Sequence, residues 1–306
     1  MVCEKFLDFK EGVGTNPCPP CPEINCSEKG FKPKQIGRYG NRLIYSVRKQ
    51  VERPFSEKFK EAKEQIKRYA NSGQIADSLS FGKDSMALTY LVLQENPRIP
   101  VAFENTLIEF PETIYFMRKI VKEWDLNFFE IKPQPGVNFF TVNDRAIQKN
   151  LHIDDGRKHS NLCCYWLKDK PFLLWRRAPD VIKSFTGVTA VEGYHRMQTA
   201  CHYGTQYLNH KEGLFKIQPL TFWTEQEVWD FTHDEGIPVN PAYQKYGLSR
   251  VGCMWCMSHF AWRQQIERIN PAIFCYMMRR YCRKRSAGKT YATPALRDPV
   301  FAEVSA

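Results

Sequence analysis

The chain has 306 residues, of which 43% are hydrophobic, 14% aromatic and 25% charged. That composition excludes a chain disordered throughout, and the length suffices to bury a core without disulfides. Lys and Arg total 44 against 33 Asp and Glu, a net charge of +11 that favours nucleotides, nucleic acid or another anionic partner. No apolar run approaches about 18 residues, so no membrane span is expected. The first residues, MVCEKFLDFKEG, lack the apolar centre of a secretion signal, so a cytoplasmic location is expected.

Residues 1–45 form a Cys- and Pro-rich extension that contains NPCPPCPEINCSEKG. Cys3, Cys18, Cys21 and Cys26 are a candidate metal set there, with zinc or a second cluster as the group it would hold. From about 50 to 70, Phe55, Phe59, Ala62, Ile66 and Tyr69 fall on one helical face. Next, IADSLSF reads as a strand, SMALTYLVLQEN as a helix and IPVAFENT as a second strand. A helix over about 111–124, the strand LNFFEIKP, the strand SFTGVTAVEGY and a helix over 224–235 follow. Strands alternating with helices predict an α/β fold with a parallel sheet flanked by helices. Ligands of such a sheet bind at the carboxyl ends of its strands. This expected domain runs over 46–260, and 261–306 reads as a basic helical tail.

The turn after the first strand is Ser80-Phe81-Gly82-Lys83-Asp84-Ser85. A small turn opening a helix directs backbone N–H groups at an anion. Lys83 adds a positive charge, and Ser80 and Ser85 add hydroxyl donors. Asp84 suits a metal ion or a helix cap. The segment resembles the S-G-G-K-D-S PP-loop of ATP pyrophosphatases, the adenine-nucleotide alpha-hydrolase-like superfamily, with Phe81 at the first glycine. Asn105-Thr106-Leu107-Ile108-Glu109-Phe110-Pro111-Glu112-Thr113 resembles the N-T-G-x-x-F-P-E-T of phosphoadenosine phosphosulfate (PAPS) reductases. Gly193-Tyr194-His195-Arg196-Met197-Gln198-Thr199 resembles that family's G-x-R-x-x-E-S loop, departing at His195 and Gln198. The stretch from Gln218-Pro219-Leu220 through Trp223 and Val228-Trp229 to Ile237-Pro238-Val239-Asn240-Pro241-Ala242-Tyr243 resembles P-L-x-x-W-x-x-x-D-V-W…I-P-x-N-P-x-Y. The resemblance implies a Rossmann-type nucleotide fold. It places Asn105, Thr106, Phe110, Glu112 and Gly193 with the turn around an adenine nucleotide, and gives Lys83, Asp84 and Arg196 catalytic roles.

Eleven cysteines in a reducing compartment point to metal or redox chemistry rather than disulfides. Cys163-Cys164 and Cys253-Met254-Trp255-Cys256 lie 89 positions apart. Four thiolates suit tetrahedral zinc or a [4Fe–4S] cluster, and adjacent cysteines suit the cubane because its irons are spread. The C-C…C-x-x-C arrangement resembles the [4Fe–4S] ligands of iron–sulfur reductases in the same family. Cys201, Cys275 and Cys282 remain as single thiols, of which Cys282 sits among the most basic neighbours and is the candidate nucleophile or sulfur carrier.

Two enzymes fit these residues. The first cleaves ATP with Mg²⁺ and thiolates an acceptor, as in the ATP pyrophosphatases of DNA phosphorothioation. Its expected partners are nucleic acid, along the basic stretch from Arg279 to Lys289, and a cysteine desulfurase as sulfur donor. The second reduces a sulfonucleotide (APS or PAPS) to sulfite, although the family's E-C-G-x-H tail has no counterpart in GKTYATPALRDPVFAEVSA. A nucleotide- or nucleic-acid-binding module without catalysis is the third reading. A homodimer would be unsurprising.

Overall fold

The computed structural model describes residues 44–155, 157–257 and 262–282. The N-terminal cysteines, and the basic stretch beyond Cys282, lie outside them. The described chain divides into two compact units.

The first unit comprises 44–103, Glu112–Glu130 and Leu173–Val251. It opens with α1 (Tyr45–Val51) and α2 (Phe55–Tyr69), where a single helix from about residue 50 was expected. Pro54 lacks the amide hydrogen to continue α1 and stands instead at the cap position of α2. A six-stranded sheet follows: β1 (Ile75–Ser78), β2 (Val101–Glu104), β3 (Phe128–Ile131), β4 (Lys183–Thr186), β5 (Gln206–Asn209) and β6 (Leu214–Ile217). Their order is β3-β2-β1-β4-β6-β5. β1 runs parallel to β2 and β4, and β4 parallel to β6, while β5 is antiparallel to β6. This is the expected parallel sheet with one antiparallel edge strand added.

The strand order reverses its direction of growth between β1 and β4, so the turns after these two strands border the ligand crevice of an open α/β sheet. Between the strands run α3 (Lys83–Glu95) and α4 (Pro111–Glu123), and after β4 come α8 (Tyr194–Tyr203), α9 (Glu225–Asp234) and α10 (Ala242–Tyr246). α3 is buried along most of its length, as expected of a helix packed on both sides. Thr224 and Glu227 close a capping box at the start of α9. The core gathers Phe81, Phe103, Leu88, Trp223, Phe231 and Ile237. A second cluster packs α1 through Val47 and Val51 against Val191, Met197 and Ala200.

The other unit comprises Glu104–Pro111, Ile131–Phe172 and the described residues from Gly252 onward. It holds α5 (Phe139–Gln148), α6 (Arg157–Cys164), α11 (Trp262–Ile269) and α12 (Pro271–Tyr281). A π-helical turn, Tyr165–Asp169, follows α6 and leads into α7 (Lys170–Trp175). Asn138 and Thr141 form a capping box on α5, and Asn270 caps α12 with Pro271 in its first turn. Phe139, Val142, Leu167, Ile266, Phe274, Met277 and Tyr281 form the core. The helix expected within the basic tail, α12, is thus a core element of this unit. Among the described residues no helix is long and apolar enough to cross a membrane.

Candidate functional site

The turn after β1 is locked from several directions. Phe81 adopts φ 57°, a left-handed conformation that costs a residue bearing Cβ about 1–2 kcal/mol. Its ring is fully buried and meets Phe103 and Phe116 edge-on, with centroids 5.1 and 6.2 Å away. The Ser85 hydroxyl donates to the Gly82 carbonyl (2.9 Å) and accepts from the Ser80 amide (3.2 Å). Asn240 donates to the Phe81 carbonyl (3.2 Å) and to the Thr113 hydroxyl (3.0 Å), while its oxygen accepts from the Ala242 amide (3.0 Å). The Lys83 amide donates to the Tyr243 hydroxyl (3.0 Å). Asn240 and Tyr243 are therefore positioning residues for the turn. The sequence marked them only as part of a matching stretch, because the bonds that give them this role span about 160 residues.

Gly187, just after β4, comes against the first turn of α3. A Cβ there would lie 2.6 Å from the Ser85 Cα and 2.7 Å from the Asp84 carbonyl, so only glycine permits this approach. Gly193 caps α8 with no atom within 4 Å of where its Cβ would stand, so sterics do not require glycine there.

Lys83 and Asp84 are both buried, with the Lys83 ammonium 2.9 Å from one Asp84 oxygen and 3.7 Å from Glu225. Burial opposes the Lys83 charge, but Asp84, Tyr243 and Glu225 outweigh it and hold the ammonium protonated above its ordinary range. The other Asp84 oxygen is buried with no partner among the described residues. Arg196, in the first turn of α8, pairs with Glu192. Burial, then repulsion from Arg250, lowers its pKa to about 10, against the pull of Asp84. Ser80 to Ser85 and Arg196 all lie in the first unit, where the Asp84 charge acts on Arg196. The unit engages Glu112 elsewhere, with Lys245 and Tyr246 of α10.

Asn105, Thr106 and Phe110 belong to the second unit. Asn105 accepts from the Leu107 amide (2.9 Å), Phe110 is buried, and Thr106 lines a recess formed by the cysteines. Cys163, Cys164, Cys253 and Cys256 line that one recess, with Ile108, Leu167, Lys168, Trp255 and Met257. The π-helical turn after the cysteine pair contributes Leu167 and Lys168 to the lining. An antiparallel bridge joins Glu109 to Cys253, and the Met254 amide donates to the Ile108 carbonyl (2.8 Å). The Thr106 hydroxyl lies 2.7 Å from a Glu109 oxygen and 3.3 Å from the Cys253 sulfur.

Burial, then the neighbouring Cys164 and Cys256, pushes the Cys163 thiol up to about 12, with Lys168 opposing. Burial likewise raises Cys253. Lys168 stays charged chiefly through Cys253, and further through Glu109, Glu104 and Cys164. Thiols so crowded ionise together when a cationic metal group offsets their repulsion. The four cysteines thus bring four thiol donors to one recess. This donor set fits a polynuclear group with separated metal atoms. Cys282 ends α12 in the hydrophobic core, its thiol 3.5 Å from the Met278 sulfur, and does not line the recess. Cys201 lies 3.3 Å from the Ser46 hydroxyl, and Cys275 packs against the core of Phe139, Phe274 and Met277.

The phosphoadenosine phosphosulfate reductase domain family matches residues 74–259. An adenosine 5'-phosphosulfate reductase of Bacillus cereus is 30% identical over 195 residues, which are 62% of this chain and 75% of that protein. One from Bacillus mycoides is 29% identical over 188 residues, 60% of this chain and 73% of its own. The solved phosphoadenylyl-sulfate reductase of Candida auris, in a phosphate complex, aligns with a TM-score of 0.49 and 15% identity over 70% of this chain and 94% of its own.

Proposed function

Because the chain belongs to the phosphoadenosine phosphosulfate reductase domain family, we propose that it is a member that cleaves ATP and transfers sulfur. The observation that carries this reading is the buried Lys83–Asp84 pair with its one uncommitted carboxylate oxygen. A sulfonucleotide asks for anion donors, whereas ATP brings Mg²⁺ with it and gives that carboxylate oxygen a ligand role. Lys83, the start of α3 and Arg196 supply positive potential for the polyphosphate. An acceptor oxygen attacks the α-phosphorus and pyrophosphate leaves. Sulfur at the hydrosulfide level then displaces AMP, so no net oxidation or reduction occurs. Nucleic acid is the acceptor that suits the +11 charge, with a cysteine desulfurase as the upstream source of persulfide sulfur, which a thiol reductant first releases as hydrosulfide while being oxidised to a disulfide.

Cys163, Cys164, Cys253 and Cys256 would hold a [4Fe–4S] cluster. When bound, it supplies a site for sulfur or for an electron. Sulfonucleotide reduction is the second reading, favoured by the 30% identity to an APS reductase.

Anaerobically purified protein given ATP, Mg²⁺ and a nucleic acid should release pyrophosphate and AMP. Lys83→Ala and Asp84→Asn should each lower that rate at least about 100-fold. Sulfite from APS or PAPS, with ATP inert, would overturn the ATP reading and establish the reductase.

A further inference from the structure

Trp255, which lines the cysteine recess, carries a hydrogen-bond donor that no described residue uses. Trp255 stands between Cys253 and Cys256 and lines the recess. Its ring is held by Phe139, edge-on at 5.4 Å, and by Phe140 at 5.7 Å. Its indole N–H is buried without an acceptor among the described residues. A buried donor left unpaired is destabilising, and a phenylalanine would fill an aromatic niche without that cost. Nor does the other polar hydroxyl of the wall answer it. The Thr106 oxygen is already engaged with Glu109 and the Cys253 sulfur. The acceptor is therefore to be sought in what the recess holds.

We propose that the Trp255 indole N–H donates to a sulfur of the iron–sulfur group, either a sulfide or a ligand thiolate, and thereby sets how readily that group accepts an electron. The inference rests on the cluster reading of the recess. An N–H···S bond draws electron density from sulfur and favours the more negative, reduced state, so it raises the reduction potential. Trp255 is a positioning residue, since its effect on chemistry passes through the group it touches.

The test uses the full chain loaded anaerobically, with tryptophan labelled by ¹⁵N at the indole. Pulsed electron paramagnetic resonance of the reduced wild type should show coupling to one indole nitrogen, absent from Trp255→Phe. The midpoint potential of Trp255→Phe should shift to more negative values at undiminished iron and sulfide content. Phe140→Leu, which disturbs the packing but removes no donor, should keep both the coupling and the midpoint. Wild type with full iron and sulfide but no indole coupling would overturn the donor and leave the cluster reading standing. Wild type that takes up neither iron nor sulfide would overturn both. Should Trp255→Phe fail to load, the coupling in wild type decides alone.

Discussion

Two residues adopt left-handed backbone at places where the resembled family carries glycine. They differ in where their side chains go. Phe81 at φ 57° turns its ring into the core, whereas Leu107 at φ 66° leaves its side chain 46% exposed. Phe81→Gly relieves about 1–2 kcal/mol of strain but loses a buried ring worth about 3–5 kcal/mol. Urea denaturation should therefore show net destabilisation of about 1–4 kcal/mol. Leu107→Gly loses no buried ring, and its relieved strain is matched by added freedom of the unfolded chain, so stability should change by less than about 1 kcal/mol. The sequence exposes both departures from glycine, but not the side-chain direction that separates them.

Asp77 is a second residue-scale case. It is fully buried in β1, accepts from the Thr89 hydroxyl, and has one oxygen without a partner among the described residues. Burial raises its pKa from 3.8 to about 7, against the hydrogen bonds from Thr89 and the Ser78 backbone. The folded state then binds the proton more tightly than the unfolded state does. Its contribution is fully present below about pH 4 and is lost as the pH rises through about 7. Asp77→Asn should remove this dependence. Relative to the variant, wild type should lose about 4 kcal/mol between pH 4 and pH 8 in urea melts.

At the scale of elements, β1, β2, β3, β4, α3, α4 and α9 were legible because each is a short apolar strand or an apolar-faced helix bounded by turn residues. The β5–β6 hairpin was not. Gln206-Tyr207-Leu208-Asn209 carries only two apolar residues, and its strand character comes from pairing with β6. The π-helical turn after Cys164 left no local mark either, since its register depends on what packs around it. α2 shows an element fixed by one buried charge. The Lys58 ammonium donates to the Val51 carbonyl (2.7 Å), the Phe222 carbonyl (3.3 Å) and Glu227 (2.7 Å). Removing one partner of such a pair strands the other, so Lys58→Ala should destabilise by about 3–5 kcal/mol in chemical denaturation. A double variant with Glu227→Gln should cost less than the sum of the two single changes.

For the whole molecule, the four cysteines paired by spacing do share one recess, while the residues grouped around a nucleotide are divided between the units. Spacing reveals a shared recess when the residue types are as restrictive as cysteine. It does not reveal which of two neighbours along a strand end, such as Asn105 or Glu112, the chain turns toward which core. Each unit has its own hydrophobic cluster. For the proposed cluster, anaerobic removal of its iron by a chelator should therefore lower one calorimetric transition and leave a second unshifted. A single transition unaffected by the chelator would contradict a structural contribution from the metal.

The unit that carries the cysteines is assembled from three separated stretches of chain, and its last wall begins only at Gly252. A ribosome adding about 5–20 residues per second needs about 4–18 s to travel from Cys164 to Cys253. Throughout that interval the nascent chain presents one adjacent thiol pair and no closing partner. Insertion of the proposed cluster would thus be a late event in biogenesis, with the half-built recess open to oxidants and to stray thiophilic ions. Overexpression in aerated cells should accordingly yield colourless protein even where slow, oxygen-poor synthesis yields brown.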